Sequence, residues 1–393
     1  MNILFLDQFT KIGGGQRSLL ELLPAIRKRN WRARVALPGA GAFAGQVEAR
    51  GFEVDFIRCG PYTPGRKRLA DFFQFGREIR PLTREISALV AKHRIDLLYV
   101  NGPRLLPAAA GAARDGSIPL IYHCHHRLLQ AAAVRLAGEA LRWSRAAMIG
   151  CCRFAAQPLE GYVAKDRQLV IYNGVAGPSW SWRPRSPSSA WNIGVIGRVE
   201  PEKGQLEFVA AARILSAGLG NCRFVIAGAP LFSGPEYLER VRKASAGLPI
   251  EFLGWQEDVG RVFSQLDLLV VPSTPIDSTP RVVLEAFAGR LPVVAFPSGG
   301  IPEIMEDDRT GFLASTLSPV ALAARIEAVM SMGPLSLREV AEEAQAAWRE
   351  NHTLERFQEA VTHVIAHAVS RISARNITAD SAATVAHTKS TGG

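Results

Sequence analysis

Cysteine is sparse: five residues in 393, Cys59, Cys124, Cys151, Cys152 and Cys222, an odd number with no Cys-x-x-Cys pair among them. This argues against a disulfide framework and against a structural zinc site. Long apolar runs are missing too, since none approaches the roughly 20 residues of a membrane-spanning helix, and the apolar start at Met1–Asp7 is too short for the core of a cleaved leader. The expectation is a protein that stays in the cytosol. No segment repeats at a fixed period. The dinucleotide fingerprint GxGxxG is also absent, because Ser18 stands where the third glycine after Gly13 would fall, which disfavours an NAD(P) dehydrogenase. What remains is a globular composition, 48% hydrophobic and 21% charged, in a chain longer than one core usually serves, so two domains are expected.

Negative charge is scarce in one half only. Residues 1–175 hold 26 Lys/Arg against 13 Asp/Glu, and the rest hold 20 against 23. The surplus collects in Arg27, Lys28, Arg29, Arg32 and Arg34, in Arg66, Lys67 and Arg68, and in Arg127, Arg135, Arg142 and Arg145. Phe72, Phe73, Phe75 and Trp143 lie between them. Either this is a solvated basic face or it meets an anionic partner, for which a lipid headgroup surface or polyanionic acceptor fits better than nucleic acid.

Apolar runs at Asn2–Asp7, Arg34–Leu37, Val54–Ile57, Asp96–Val100, Leu120–His123, Ala147–Gly150 and Leu169–Tyr172 alternate with longer amphipathic stretches. That is the pattern of a parallel sheet with helical crossovers. Leu19, Leu22, Leu23 and Ile26 predict a helix after the glycines at 13–15, with Pro24 as its one irregularity. A Pro-, Ser- and Gly-rich stretch from Gly174 to Ala190 reads as a connection between domains. Strands and helices then restart: strands at Asn192–Gly197, Arg223–Gly228, Glu251–Leu253, Leu268–Val271 and Pro292–Phe296, helices at Gln205–Leu215, Glu236–Ala246 and Val282–Ala288. Further helices are expected over 318–331, 335–349 and 354–370. Two doubly wound α/β domains result, whose ligand belongs in the cleft that the carboxyl ends of their strands would share.

Three groups of residues could carry chemistry. At Gly197-Arg198-Val199-Glu200-Pro201-Glu202-Lys203-Gly204 a strand ends in glycine, and two cations flank the turn into a helix, a setting for an anion or simply a charged turn. Asp277 lies in a loop after the strongly apolar strand Leu268–Val271, and Glu285 follows eight positions later on a helix. Two carboxylates so spaced can accept hydrogen bonds from two ends of a hydroxyl-rich ligand. Glu285 sits in sequence among Val282, Val283, Leu284, Ala286 and Phe287, a setting that demands a partner, either an arginine nearby or a ribose. In the first half, Gly13-Gly14-Gly15 permits close backbone approach to a ligand or a tight turn. His123-Cys124-His125-His126 ends a strand and finds no distant His/Cys pair to complete a metal site.

Taken together these motifs resemble a family. Residues 192–313 are similar to the C-terminal domain of the retaining GT-B glycosyltransferases of glycosyltransferase family four. The likeness lies in the turn at 197–204, the pair Asp277 and Glu285, the run LEAFAGRLPVVAF at 284–296, Ser298-Gly299-Gly300 with Glu303, and Asp308-Arg309-Thr310-Gly311-Phe312, in the family's order and spacing. Weaker signals extend it over most of residues 1–370. The resemblance implies two Rossmann-like doubly wound domains facing each other across a cleft: an acceptor domain at 1–175, a linker at 176–190 and a donor domain at 191–350. A C-terminal helix at 351–372 would pack back on the first domain, before a disordered tail at 373–393.

It further implies that Arg198 and Lys203 hold the diphosphate of a nucleotide-sugar donor, that Glu285 binds the ribose and that Asp277 binds the transferred sugar. Gly14 and Gly15 would face donor phosphate and acceptor. His125, with His126 as second choice, would lie near the reacting sugar, and neither a metal nor another cofactor would be required. The family usually has Glu followed by Gly-Phe-Gly where this chain has Asp277-Ser278-Thr279-Pro280, a departure that bears on the donor sugar or on transfer itself. A nucleotide-sugar epimerase or hydrolase on the same fold, or a non-catalytic scaffold, are the competing expectations.

Overall fold

The computed structural model describes residues 1–60, 69–184, 190–218, 222–275 and 277–371, with the backbone alone at 69–74. Arg66, Lys67 and Arg68, the side chains of Phe72 and Phe73, part of the expected linker and the expected tail at 373–393 lie outside the described residues. The chain divides into two compact units, one of Met1–Gly150, Pro158–Ile171 and Gln358 onward, the other of Cys151–Gln157 and Tyr172–Phe357.

The first unit runs β1 (Asn2–Leu6), α1 (Gly14–Lys28), β2 (Arg32–Leu37), α2 (Ala42–Ala49), β3 (Glu53–Phe56), α3 (Leu69–His93), β4 (Leu97–Val100), α4 (Leu106–Asp115), β5 (Leu120–Cys124), α5 (Ala131–Ser144) and β6 (Ala147–Gly150). After the short helix α6 (Arg153–Ala156), which belongs to the other unit, comes β7 (Gln168–Val170). The seven strands form a parallel sheet in the order β3-β2-β1-β4-β5-β6-β7. Its central strands are buried on both faces, which is why they read as continuous apolar runs: Ile3–Leu6 and Leu97–Val100 are wholly enclosed. α1 continues through Pro24, which lies on its exposed face.

The second unit runs β8 (Trp191–Ile196), α7 (Gln205–Gly218), β9 (Cys222–Ala227), α8 (Glu236–Ala244), β10 (Ile250–Gly254), α9 (Val259–Phe263), β11 (Leu268–Val271), α10 (Arg281–Ala288), β12 (Val293–Ala295), β13 (Phe312–Leu313), α11 (Pro319–Met330) and α12 (Pro334–Asn351). Its six parallel strands follow the order β10-β9-β8-β11-β12-β13. Along β11 the side chains alternate: Leu268 and Val270 enter one core with Phe208, Phe224 and Ile326, while Leu269 and Val271 enter a second with Val283, Phe287 and Ile304. Each such aliphatic residue contributes roughly 1.5–3 kcal/mol on burial.

The stretch expected as a linker is laid down on this second unit where it is described. Trp180 stacks on Phe263 at 4.8 Å, and the Trp182 N–H donates to the Gly289 carbonyl. A last helix, over 354–371, follows α12, and from Gln358 onward it counts with the first unit. There the Gln358 amide donates to the Glu21 carbonyl, and Arg371 pairs with Asp166 at 2.8 Å. Among the described residues no single helix is long and apolar enough to cross a membrane.

In both sheets the strand order reverses beside the first strand of the unit, between β1 and β4 and between β8 and β11. In open α/β sheets the crevice outside the carboxyl ends of those two strands is where ligands are held.

Candidate functional site

In the second unit the candidate residues come from the loops that leave β8, β11 and β12. The β8 loop makes one 3-10 turn at Pro201–Lys203 and enters α7 through Gly204, whose φ is +69°. A Cβ on Gly204 would stand 1.8 Å from the Pro272 carbonyl oxygen, so only glycine lets the β8 and β11 loops touch. They are joined there, because the Thr274 N–H donates to the Glu202 carbonyl at 2.9 Å. Lys203 emerges beside Asp277, Nζ to Oδ2 2.7 Å, with both side chains largely shielded. The β12 loop supports Asp277 from the other side. Gly299, at φ +58°, has no room for a Cβ against the Asp277 carbonyl, the Ser298 hydroxyl donates to the Ser273 carbonyl, and the Gly300 N–H donates to that of Ser278.

Arg198 is the second cation of this cluster. Its guanidinium lies 3.1 Å from Glu202 and 4.0 Å from Glu200, over the Phe232 ring at 5.0 Å. Glu200 is buried and accepts N–H bonds from Leu231, Phe232 and Ser233 at 2.7–3.1 Å. Burial opposes its charge, but these donors outweigh it and hold the carboxyl below its usual range. Glu200 therefore fastens the loop after β9 against Arg198, a role not visible in the sequence.

Glu285 corrects one expectation. Its sequence neighbours are apolar, but helical periodicity turns Val283, Leu284, Ala286 and Phe287 into the core and leaves Glu285 on a half-buried face with Arg281 and Val282.

A second correction concerns the glycine turn of the first unit. Gly14 and Gly15 already belong to the first turn of α1, and only Gly13 precedes it. The helix can begin this early because the Gln16 side chain accepts from the Gly13 N–H at 3.0 Å. The Gln16 amide donates to both oxygens of Asp7, at 2.9 and 3.0 Å. Asp7 directly follows β1 and is wholly buried; the Phe9 N–H and the Asn101 amide also donate to it, at 2.9 and 2.6 Å. Burial raises its pKa to about 6 against these hydrogen bonds.

Asn101, directly after β4, in turn meets His125 Nε2 through its oxygen at 2.6 Å. The His125 ring lies against Gly15, where a Cβ would stand 3.0 Å from the ring. Beside it at 4.0 Å between ring centres lies His123, buried, bonded through Nδ1 to the Tyr99 hydroxyl at 2.7 Å, and kept neutral by burial, which lowers its protonation to about pH 3. For His126 the backbone carbonyl accepts from the Cys124 thiol.

The structure thus gathers Arg198, Lys203 and Asp277 into one loop cluster of the second unit, with Glu285 on the helix that follows. Gly15 and His125 meet at the crevice of the first unit, with Gly14 next to Gly15 at the start of α1. Asp7, Gln16, Asn101 and Glu200 were missed from the sequence. Asp7 and Asn101 did carry a signal, since each is a polar residue directly after a buried apolar run, Ile3–Leu6 and Leu97–Val100, and the two strands are neighbours. Among the described residues no group of three His, Cys, Asp or Glu side chains is disposed to hold a metal ion.

Comparison with known proteins matches both halves. A family model described as Glycosyltransferase Family 4 matches residues 12–176, and one described as Glycosyl transferases group 1 matches residues 190–332. Sulfoquinovosyl transferase SQD2 of Arabidopsis thaliana is 28% identical over 59% of this chain and 49% of its own length. A D-inositol 3-phosphate glycosyltransferase of Mycobacterium sp. (strain KMS) is 33% identical over 40% of this chain and 36% of its own length. The chain thus spans half or less of these two relatives. The phosphatidyl-myo-inositol mannosyltransferase of Mycobacterium leprae is 25% identical over 86% of this chain and 89% of its own length. Among solved structures, Anabaena HepE in complex with UDP superposes with a TM-score of 0.79 at 24% identity, over 93% of this chain and 100% of that one. The chain is a member of glycosyltransferase family 4, in group 1 of the glycosyl transferases, with two Rossmann-like domains of the GT-B fold.

Proposed function

We propose that the protein transfers a sugar from a nucleoside diphosphate sugar to an acceptor hydroxyl with retention of anomeric configuration. The observation that carries this reading is the loop cluster at the β8/β11 crevice, where Arg198, Lys203 and Asp277 stand together with Glu285 on the next helix. Arg198 and Lys203 bind the diphosphate and neutralise the charge that grows on it as the bond from the anomeric carbon to phosphate breaks, without a metal. Asp277 accepts hydroxyls of the sugar, and Glu285 accepts those of the ribose. Gly14 and Gly15 let the start of α1 approach donor phosphate and acceptor, with His125 beside the reacting sugar and His126 the second candidate. The acceptor oxygen bonds to the anomeric carbon on the face the phosphate leaves, and its proton passes to the departing phosphate oxygen, so neither carboxylate has to act as nucleophile. The complex of the structural relative HepE makes UDP the first diphosphate to try.

On the acceptor side the reading is a lipid-linked or otherwise anionic molecule, met in the cytoplasm at the inner face of the cell membrane during polysaccharide or glycolipid assembly. It is supported by the basic surplus of the first half, where Arg127, Arg135, Arg142 and Arg145 accompany the exposed Leu129 and Trp143. The relative named for phosphatidyl-myo-inositol mannosyl transfer agrees with it.

The test is product analysis with a panel of nucleoside diphosphate sugars in chelator, with and without lipid-linked acceptors. The expected result is diphosphate release that requires acceptor, and a product whose anomeric configuration matches the donor's by NMR. Sugar released or epimerised without acceptor would identify a hydrolase or epimerase, and donor binding without turnover for any acceptor would identify a scaffold.

A further inference from the structure

Asp7, Asn101 and His125 are joined in series at the crevice of the first unit, a connection that none of the family motifs announces. We infer that Asp7, acting through the Asn101 amide, fixes the His125 imidazole as its Nε2–H tautomer and so determines which ring nitrogen is left as the acceptor. Asp7 and Asn101 are positioning residues in this account, and the inference rests on reading His125 as the histidine beside the reacting sugar.

The directions of the hydrogen bonds leave one solution. An ionised carboxylate only accepts, and the groups on Asp7 are neutral N–H donors: the Gln8 backbone N–H, the Phe9 N–H at 2.9 Å, the Gln16 amide at 2.9 and 3.0 Å, and the Asn101 amide at 2.6 Å. Gln16 is held in that sense because its oxygen is occupied by the Gly13 N–H. Asn101 is held in the same sense twice, since its second amide proton faces the Gly15 carbonyl at 3.3 Å, another group that only accepts. The Asn101 oxygen must then face His125, and at 2.6 Å the His125 Nε2 must carry the proton. Nδ1 is left with the lone pair. Asp7 remains charged above about pH 6 despite its burial, so the orienting carboxylate is present at neutral pH. Gln16 makes the glycine turn depend on the same carboxylate, and one buried side chain therefore sets both the start of α1 and the ring packed against it.

Long-range proton–nitrogen NMR of the uniformly labelled full chain at about pH 8, where Asp7 is ionised, reads the tautomer directly. The His125 signals are assigned by their loss in His125→Gln. The expected result is Nε2–H in excess by about tenfold or more, the value of a ~1.4 kcal/mol preference. In Asp7→Asn the amide at position 7 can donate as well as accept, only the longer 3.3 Å bond to the Gly15 carbonyl still orients Asn101, and the ratio should move toward Nδ1–H. Wild-type His125 found as Nδ1–H overturns the inference even if the variant fails to fold, and so does a folded Asp7→Asn protein with an unchanged ratio. In turnover the same variant should lower kcat while leaving KM for the donor in place; equal loss of both would mean a merely structural role. Full transfer activity in His125→Ala would instead remove His125 from the proposed reaction, and the spectrum would still decide the tautomer.

Discussion

Lys203 carries three N–H donors, and Asp277 accepts at 2.7 Å from one side, so the ammonium can serve a phosphate and this carboxylate together. The two substitutions of the pair should therefore part company. Lys203→Ala should weaken nucleoside diphosphate binding by ~1.5–3 kcal/mol, the value of a charge-assisted contact. Asp277→Asn removes a negative charge beside the diphosphate, so affinity for the diphosphate should hold or rise, while transfer from the sugar nucleotide falls by about 100-fold or more for want of a charged acceptor on the sugar hydroxyls. Titration calorimetry with the diphosphate, set beside turnover with the full donor, checks both. Equal loss of diphosphate affinity in the two variants would make Asp277 an anchor of the lysine and nothing more. At Gly15 an added Cβ would crowd His125 at 3.0 Å, so Gly15→Ala should slow transfer more than it weakens diphosphate binding.

Among the elements, the loops that present these residues are set by a few glycines. Gly204→Ala would combine a left-handed φ with a Cβ 1.8 Å from the Pro272 carbonyl, so the β8 loop must part from the β11 loop. The expected outcome is a drop in Tm of several degrees, from strain of ~1–3 kcal/mol, with loss of diphosphate binding. Gly45→Ala inside α2, where nothing lies within 4 Å, should keep or raise Tm and serves as control. Unchanged binding in Gly204→Ala would mean that Lys203 does not depend on the junction of the two loops.

The strands bordering both crevices were legible because a strand buried on both faces must be apolar throughout: Leu268–Val271 is the same in sequence and structure, and Asn2–Leu6 and Leu97–Val100 differ by a residue at one end. β13 was not, since two residues carry no periodicity and pair with β12 only through the fold. The charged motif residues Arg198, Lys203, Asp277 and Glu285 were legible from spacing. Asp7 and Asn101 showed only as polar residues after apolar runs, and Gln16 and Glu200 not at all, because their partners lie up to 94 positions away or are backbone N–H groups that any sequence supplies.

At the scale of the whole molecule, acid should act through histidines kept neutral. Burial lowers the protonation of His123 in the first unit to about pH 3 and that of His352 in the second to about pH 4, against an ordinary value of 6.5. Groups whose folded value is depressed contribute stability that is complete above the unfolded value and lost as pH falls toward the folded one, so Tm should decline between pH 6.5 and about 4. Asp7 acts in the opposite sense: its folded value is raised from 3.8 to about 6, and its contribution is lost as pH rises through that window. Calorimetric scans across this range should show a shallower decline in His352→Asn than in the wild type, and an identical decline would show that His352 does not carry the acid sensitivity.

On this reading the second unit holds a nucleoside diphosphate on Arg198 and Lys203. Its most direct test is calorimetric titration of the full chain with UDP, GDP, ADP, CDP and TDP in chelator, repeated with Arg198→Ala and Lys203→Ala. One diphosphate should bind the wild type without divalent metal, and each variant should lose about 10-fold to 100-fold in affinity. A diphosphate bound equally well by all three proteins, or by none, would contradict it.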